Sequence, residues 1–222
     1  MDSTHEKIKE IKAQLRLYMN GAISKSMRDK GMNYKLNFGI EYPRIKEIAL
    51  QYEKNHNLAQ DLWKENIREC KIMAGLLQPV ETFYPEIAEI WIDAMDYPEL
   101  AEYTVMNLFQ HLPYAGEIVY RWMADERERY LQCGFLLMAR LLMRGMELNE
   151  RGEAEFIDQA LASMEDTTYP VVRKAAATAL KKYGLTSPEN SKKVLRAVSP
   201  MMKSVNAETA ALATSVKDEL AF

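Results

Sequence analysis

Cysteine, histidine and glycine are scarce in this chain: two, three and nine of 222 residues. Cys70 and Cys133 sit in separate apolar stretches, so no disulfide framework is expected, and buried thiols suit a reducing cytosol. Metal chemistry lacks its donors. His5, His56 and His111 form no His-Glu-x-x-His, and no Cys-x-x-Cys occurs. Glu53-Lys54-Asn55-His56 is a single Glu-x-x-His, whereas a carboxylate di-iron bundle needs two such motifs and two further glutamates. The turn glycine at 39 has no glycine neighbours to cradle a phosphate, and there is neither a Walker loop nor a dinucleotide fingerprint. The expectation is therefore no metal and no cofactor. No apolar run approaches the ~18 residues of a membrane helix, and the charged start, MDSTHEKIKE, lacks a secretory apolar core. A cytoplasmic protein without membrane contact is expected.

Helical periodicity dominates what is present, and nothing reads as a strand. Ser3 with Glu6 predicts a capping box, and Ile8, Ile11, Leu15 and Tyr18 keep helical spacing behind it. A short helix should end near Gly31. Pro43 opens the next, and Asn57 is read as the cap of the helix carrying Leu58, Leu62 and Trp63. Further helices are predicted at roughly 84–95, 98–112, 113–123, 127–145, 150–165, 170–183, 188–202 and 206–221, with Ser187-Pro188 starting one, Asn206 capping the last, and Pro200 either kinking or ending one of them. About thirteen helices with short links fit helix pairs stacked in a repeat. Prolines 43, 79 and 113 repeat at 36 and 34 residues, which agrees with such a period. A compact irregular bundle is the alternative. Trp63, Trp91, Trp122 and the 14 methionines fall in apolar positions and read as core.

Charge is partitioned behind a net value of −3 and a pI near 5.8. Residues 7–46 hold ten Lys/Arg against three acids, residues 81–128 eleven acids against two arginines, and residues 170–205 eight Lys/Arg against Glu189 alone. Phosphate attraction follows local charge, so the negative total does not exclude nucleic acid. Lys174, Thr178, Lys181 and Lys182 recur at i, i+4, i+7 and i+8, which puts them on one helical face as a candidate phosphate rail. Solvated lysines are the plainer reading of the same face.

The stretch from Leu36 to Pro79 is the most specific. Phe38-Gly39-Ile40 enters a turn, Pro43 and Lys46 follow, and Trp63 and Arg68-Glu69 precede the apolar run Met73-Ala74-Gly75-Leu76-Leu77. This pattern resembles the AlkD-type DNA alkylation repair glycosylases. The resemblance implies an all-α HEAT-like or armadillo-type helical-repeat solenoid over the single domain 1–222, curled around double-stranded DNA. It also implies release of cationic N-alkylated purines: an aspartate stabilises the oxocarbenium ion, two tryptophans hold the deformed backbone, and an arginine fixes a phosphate.

Carried over residue by residue, the aspartate position falls on Glu102. The first tryptophan position falls on Pro98, with Tyr97 beside it; the arginine position falls on Cys133, and the second tryptophan position on Thr178. Three of the four roles are unfilled; Arg129, Arg140 and Arg144 are candidate substitutes for the missing arginine, of which only Arg140 and Arg144 share the helical face of Cys133. Glu99 and Glu102 read as a solvated acidic face without a compensating cation, opposite the stripe Ala101, Val105, Leu108 and Leu112. The expected function is duplex binding through a basic concave surface, with Lys174, Thr178, Lys181, Lys182, Arg140 and Arg144 as contacts and little base excision. Two alternatives stand beside it. One is an active alkylpurine glycosylase using Glu102; the other is a helical scaffold for a protein partner.

Overall fold

The structure, a computed structural model, describes residues 4–221. Ser3 of the predicted capping box lies outside the described residues. Thirteen α-helices and three short 3-10 turns are present among them, and the only β-type pairing is one isolated parallel bridge between Leu36 and Ile67. The chain divides after Leu112 into two compact units.

The first unit contains α1 (Thr4–Leu17), α2 (Gly21–Asp29), α3 (Tyr42–Ala49), α4 (His56–Lys64), α5 (Arg68–Leu77), α6 (Pro85–Asp93) and α7 (Pro98–Asn107). Local chemistry sets its boundaries. Asn20 caps α2 by accepting from the amides of Ala22 and Ile23, while prolines occupy the first turns of α3, α6 and α7. The cap of α4 is Asn55 and not Asn57: the Asn55 side chain accepts from Leu58 N at 2.9 Å. Helix α7 stops at Asn107, short of the predicted 112, and a 3-10 turn at Phe109–His111 follows. Its predicted stripe, Ala101, Val105, Leu108 and Leu112, is buried. The core centres on Trp63 and Trp91, stacked at 4.1 Å and almost parallel, with Phe83 set edge-on against Trp91.

The second unit contains α8 (Ala115–Met123), α9 (Glu128–Met143), α10 (Glu150–Glu165), α11 (Pro170–Gly184), α12 (Pro188–Val198) and α13 (Ala207–Leu220). Ser187 and Asn206 cap α12 and α13, as their spacing predicts. Pro200 does not extend α12; that helix ends at Val198 and Pro200 begins a 3-10 turn, since its ring cannot continue the helical hydrogen bonding. Helix α11 is the hub and packs against α9, α10, α12 and α13. Its alanines 175, 176, 177 and 179 are all buried, so neighbouring backbones come close. The α8–α9 pair is tighter still, because a Cβ at Gly134 would lie 2.6 Å from Met123 N.

Candidate nucleic-acid interface

The turn at Phe38-Gly39-Ile40 in the first unit is held in place by buried charge. Gly39 adopts φ +70°, and a Cβ there would strike the Asn20 carbonyl oxygen and Ser24 N. Glu69 is fully buried; its carboxylate accepts from the amides of Phe38 (3.1 Å) and Ile40 (3.2 Å). Arg68 donates to the Ile40 carbonyl at 2.9 Å and to Glu69 at 3.2 Å. Its other face grips Glu99 in a bidentate pair at 2.8 and 2.9 Å, and Tyr34 donates its hydroxyl to Glu99 at 2.7 Å. Burial alone would lower the Arg68 pKa, but the Glu99 hydrogen bonds and the two carboxylates outweigh it and raise the value.

The reading of Glu99 and Glu102 as one solvated acidic face is therefore wrong for Glu99. That carboxylate is mostly buried and has a cation, donated from 31 residues upstream where helical spacing could not reveal it. Glu102 differs. It is exposed, with a pKa raised by partial burial and then by the Glu99 charge. Tyr97 is not free as an aromatic substitute at the surface, because its ring packs on Tyr34 at 4.4 Å. Both tyrosines line a cleft of about 420 Å³ with Lys71 and Asp96. Lys71 is itself buried, bonds the Ala94 carbonyl at the end of α6 and stands 4.8 Å from the Trp63 ring, and burial lowers its pKa.

In the second unit all four residues of the candidate rail lie on α11. Lys174 and Thr178 are exposed on α11, with Lys181 and Lys182 half-buried beside them. The Thr178 hydroxyl donates back to the Lys174 carbonyl at 2.8 Å. Lys174 opens onto a cleft of about 440 Å³ between α11 and α13, floored by Ala211 and Leu212. Lys181 and Lys182 converge on Glu219 of α13, at 3.1 and 3.6 Å, and Lys181 also donates to Ser215. The hydrogen bond from Lys181, ahead of the lysine charges, pulls the Glu219 pKa down. Glu219 gives no sign of this pairing in sequence, since it lies beyond the basic segment on another helix. Arg173, counted in that segment, is buried and structural; it donates to Met164 O and Thr209 and pairs with Glu208.

The arginine position on Cys133 is fully buried in α9, and burial pushes the thiol pKa up to about 12. Arg140 lies seven residues on, roughly 10 Å further along the axis, and is half-buried; Arg144 is exposed at the C-cap. Arg129 is engaged with Glu128 and Gln132. Trp63, Trp91 and Trp122 are all buried, as expected of packing residues. The methionines divide: seven of the thirteen among the described residues are buried, four are half-buried, and Met19 and Met143 are 59% exposed.

Helix pairs, capped and joined by short turns, define a helical-repeat protein. The chain belongs to the DNA alkylation repair enzyme family, whose model matches residues 11–212 across both units. A solved structure described as "A new family of proteins related to the HEAT-like repeat DNA glycosylases with affinity for branched DNA structures" is similar at TM-score 0.78 and 15% identity, over 96% of each chain. At that identity the likeness establishes the fold, an all-α HEAT-like repeat. No curated protein matches the chain significantly.

Proposed function

We propose that this chain is a DNA-binding member of its family that holds the phosphate backbone through the exposed face of α11 and excises alkylated bases weakly or not at all. The observation that carries the binding half is the α11 stripe, where Lys174 and Thr178 are exposed and Lys181 and Lys182 lie half-buried beside them. Arg140 and Arg144 of α9 are assigned as further backbone contacts. The duplex is the ligand class, and the affinity for branched DNA ascribed to the similar structure makes junctions the first variant to try. Loss of excision follows from the filled positions. A fully buried cysteine cannot fix a phosphate, and a proline and a threonine offer no indole to a deformed backbone. The two free, buried cysteines suit action in a reducing cytoplasm.

Replacing Lys174, Lys181 and Lys182 together with Ala should weaken duplex binding and flatten the dependence of log K on log salt by about 0.9 for each phosphate no longer neutralised. An unchanged slope would discard α11 as the binding surface. Glu102 favours a second reading, since it is an exposed carboxylate at the position where the family keeps its aspartate. Release of methylated purines that stops in Glu102→Gln would establish that reading in place of the first.

A further inference from the structure

The corner between α1 and α2 exposes three consecutive large apolar side chains: Leu17 at 81%, Tyr18 at 45% and Met19 at 59%. Exposed hydrophobic residues are ordinary when single, but a contiguous group on a turn, ringed by charge, marks a contact surface. The charge here is basic. Arg16 precedes the group and lines a cleft of about 600 Å³ with Lys12, Lys35 and Lys64, against only Asp61 and Glu65. The two acids are committed, Glu65 to Lys12 and Asp61 to Lys64, each at 3.0 Å. Arg16 and Lys35 have no ion-pair partner among the described residues and stay available to an anion. On the other side, the Arg44 guanidinium lies 4.6 Å from the Tyr18 ring centre.

The corner is also rigidly backed. Leu15 anchors the end of α1 in the core at 0% exposure. Asn20 donates its amide to the Phe38 carbonyl at 2.8 Å, and Ser24 donates to the Asn37 carbonyl at 3.0 Å. That loop is the one clamped by Glu69 and Arg68. The buried charge network thus fixes the loop, the loop fixes Asn20, and Asn20 begins α2 directly after the apolar group.

We infer that Leu17, Tyr18 and Met19 form an apolar wedge that covers an exposed base-pair face at a DNA branch point, with Arg16 and Lys35 holding the adjoining phosphates. This rests on the reading of the chain as a DNA-binding protein and assigns to the first unit a contact that the reading itself does not require. The physical case is a difference in cost. Entering a continuous duplex means unstacking a base step, which costs stacking energy. At a branch the stack is already interrupted, so apolar side chains gain burial without that penalty. The flanking cations supply the attraction that brings the backbone to this corner.

The test uses the full chain and two DNA probes of equal total length, a three-way junction and a linear duplex, titrated at two salt concentrations. Wild type should prefer the junction. The double variant Leu17→Ser, Met19→Ser should bind the junction at least about tenfold more weakly, since fully covering even one such side chain is worth about that factor. Its linear-duplex affinity should stay within about twofold and its melting temperature should not fall, because both side chains are exposed. Arg16→Ala with Lys35→Ala should weaken both complexes and flatten both salt slopes by about 0.9 for each cation withdrawn from a phosphate. Retention of the junction preference by the double serine variant overturns the wedge while leaving DNA binding intact. Failure of wild type to bind either probe overturns the DNA reading beneath it. Binding of wild type to vesicles of phosphatidylcholine and phosphatidylserine, abolished in the serine variant while junction binding is unchanged, overturns the wedge in favour of a lipid contact.

Discussion

Two three-membered charge clusters, one in each unit, are near inversions of each other. In the first unit a single cation, Arg68, lies between two carboxylates, Glu69 and Glu99. In the second a single carboxylate, Glu219, lies between two cations, Lys181 and Lys182. The first is interior, with Arg68 at 5% and Glu69 at 0% exposure, and every oxygen of the two carboxylates serves the turn or the arginine. The second lies nearer the surface, where half-buried lysines meet an exposed Glu219. Buried pairs must be complete, because a stranded charge in a low-dielectric site is expensive; surface pairs exchange partners at little cost. A phosphate can therefore take the place of Glu219 on Lys181 and Lys182, whereas nothing replaces Glu99 on Arg68. The inner cluster is locked by burial, and the outer one can exchange partners.

The comparison breaks most easily at Arg68. Arg68→Met should destabilise the protein by about 3–5 kcal/mol, read as a lower denaturant midpoint, because Glu69 would remain buried with no cation. A cost below about 1 kcal/mol would mean that the inner cluster is as replaceable as the outer one.

Glu219→Gln should act oppositely on function and hardly at all on stability. Freed from their carboxylate, Lys181 and Lys182 should bind duplex DNA several-fold more tightly, with a salt slope steeper by up to about 0.9 for each lysine. Unfolding should shift by no more than about 0.5 kcal/mol. Weaker binding in this variant would show that Glu219 orients the lysines for DNA and does not compete with it.

Glu102 gives the smallest effect and sharpens the contrast within one helix. Its pKa is raised by partial burial and by Glu99, so its ionised form is disfavoured in the folded state. The stability associated with its protonated form is complete below the ordinary carboxylate value, about 4.3, and is lost as pH rises through the raised folded value. Glu102→Gln should thus stabilise by a few tenths of a kcal/mol, about 0.3, at pH 7, with solvent screening keeping the gain small. The gain should vanish below about pH 4. A pH-independent gain would point to packing and not to charge.

Much of this architecture was legible in the residues themselves. Prolines at helix starts, Ser187 and Asn206 as caps, and apolar stripes at helical spacing mark elements through local rules, and these agree with the structure. Where two asparagines compete for one cap, as Asn55 and Asn57 do, residue type alone does not decide; the backbone must leave the helix at Asn55 for its side chain to reach Leu58 N. The α11 stripe was visible because a single helix carries it. Its partner Glu219 was not, and neither was the bond between Arg68 and Glu99, because both join helices distant in sequence. Tyr18 and Met19 misled for a related reason. Continuing the apolar spacing of α1 past Leu15 suggests core, but the helix ends at Leu17 and the following residues turn outward.

The most direct test of a disarmed DNA-binding protein is a titration of the full chain against plain, branched and methylated duplexes at two salt concentrations, with free purine bases measured in the same tubes. Binding should be salt-sensitive and tightest to the branched duplex, with no release of 3-methyladenine or 7-methylguanine above the uncatalysed rate. Release that disappears in Glu102→Gln would refute the disarmed site, and failure to bind any of the three at ~50 mM salt, where phosphate contacts are strongest, would refute DNA binding itself.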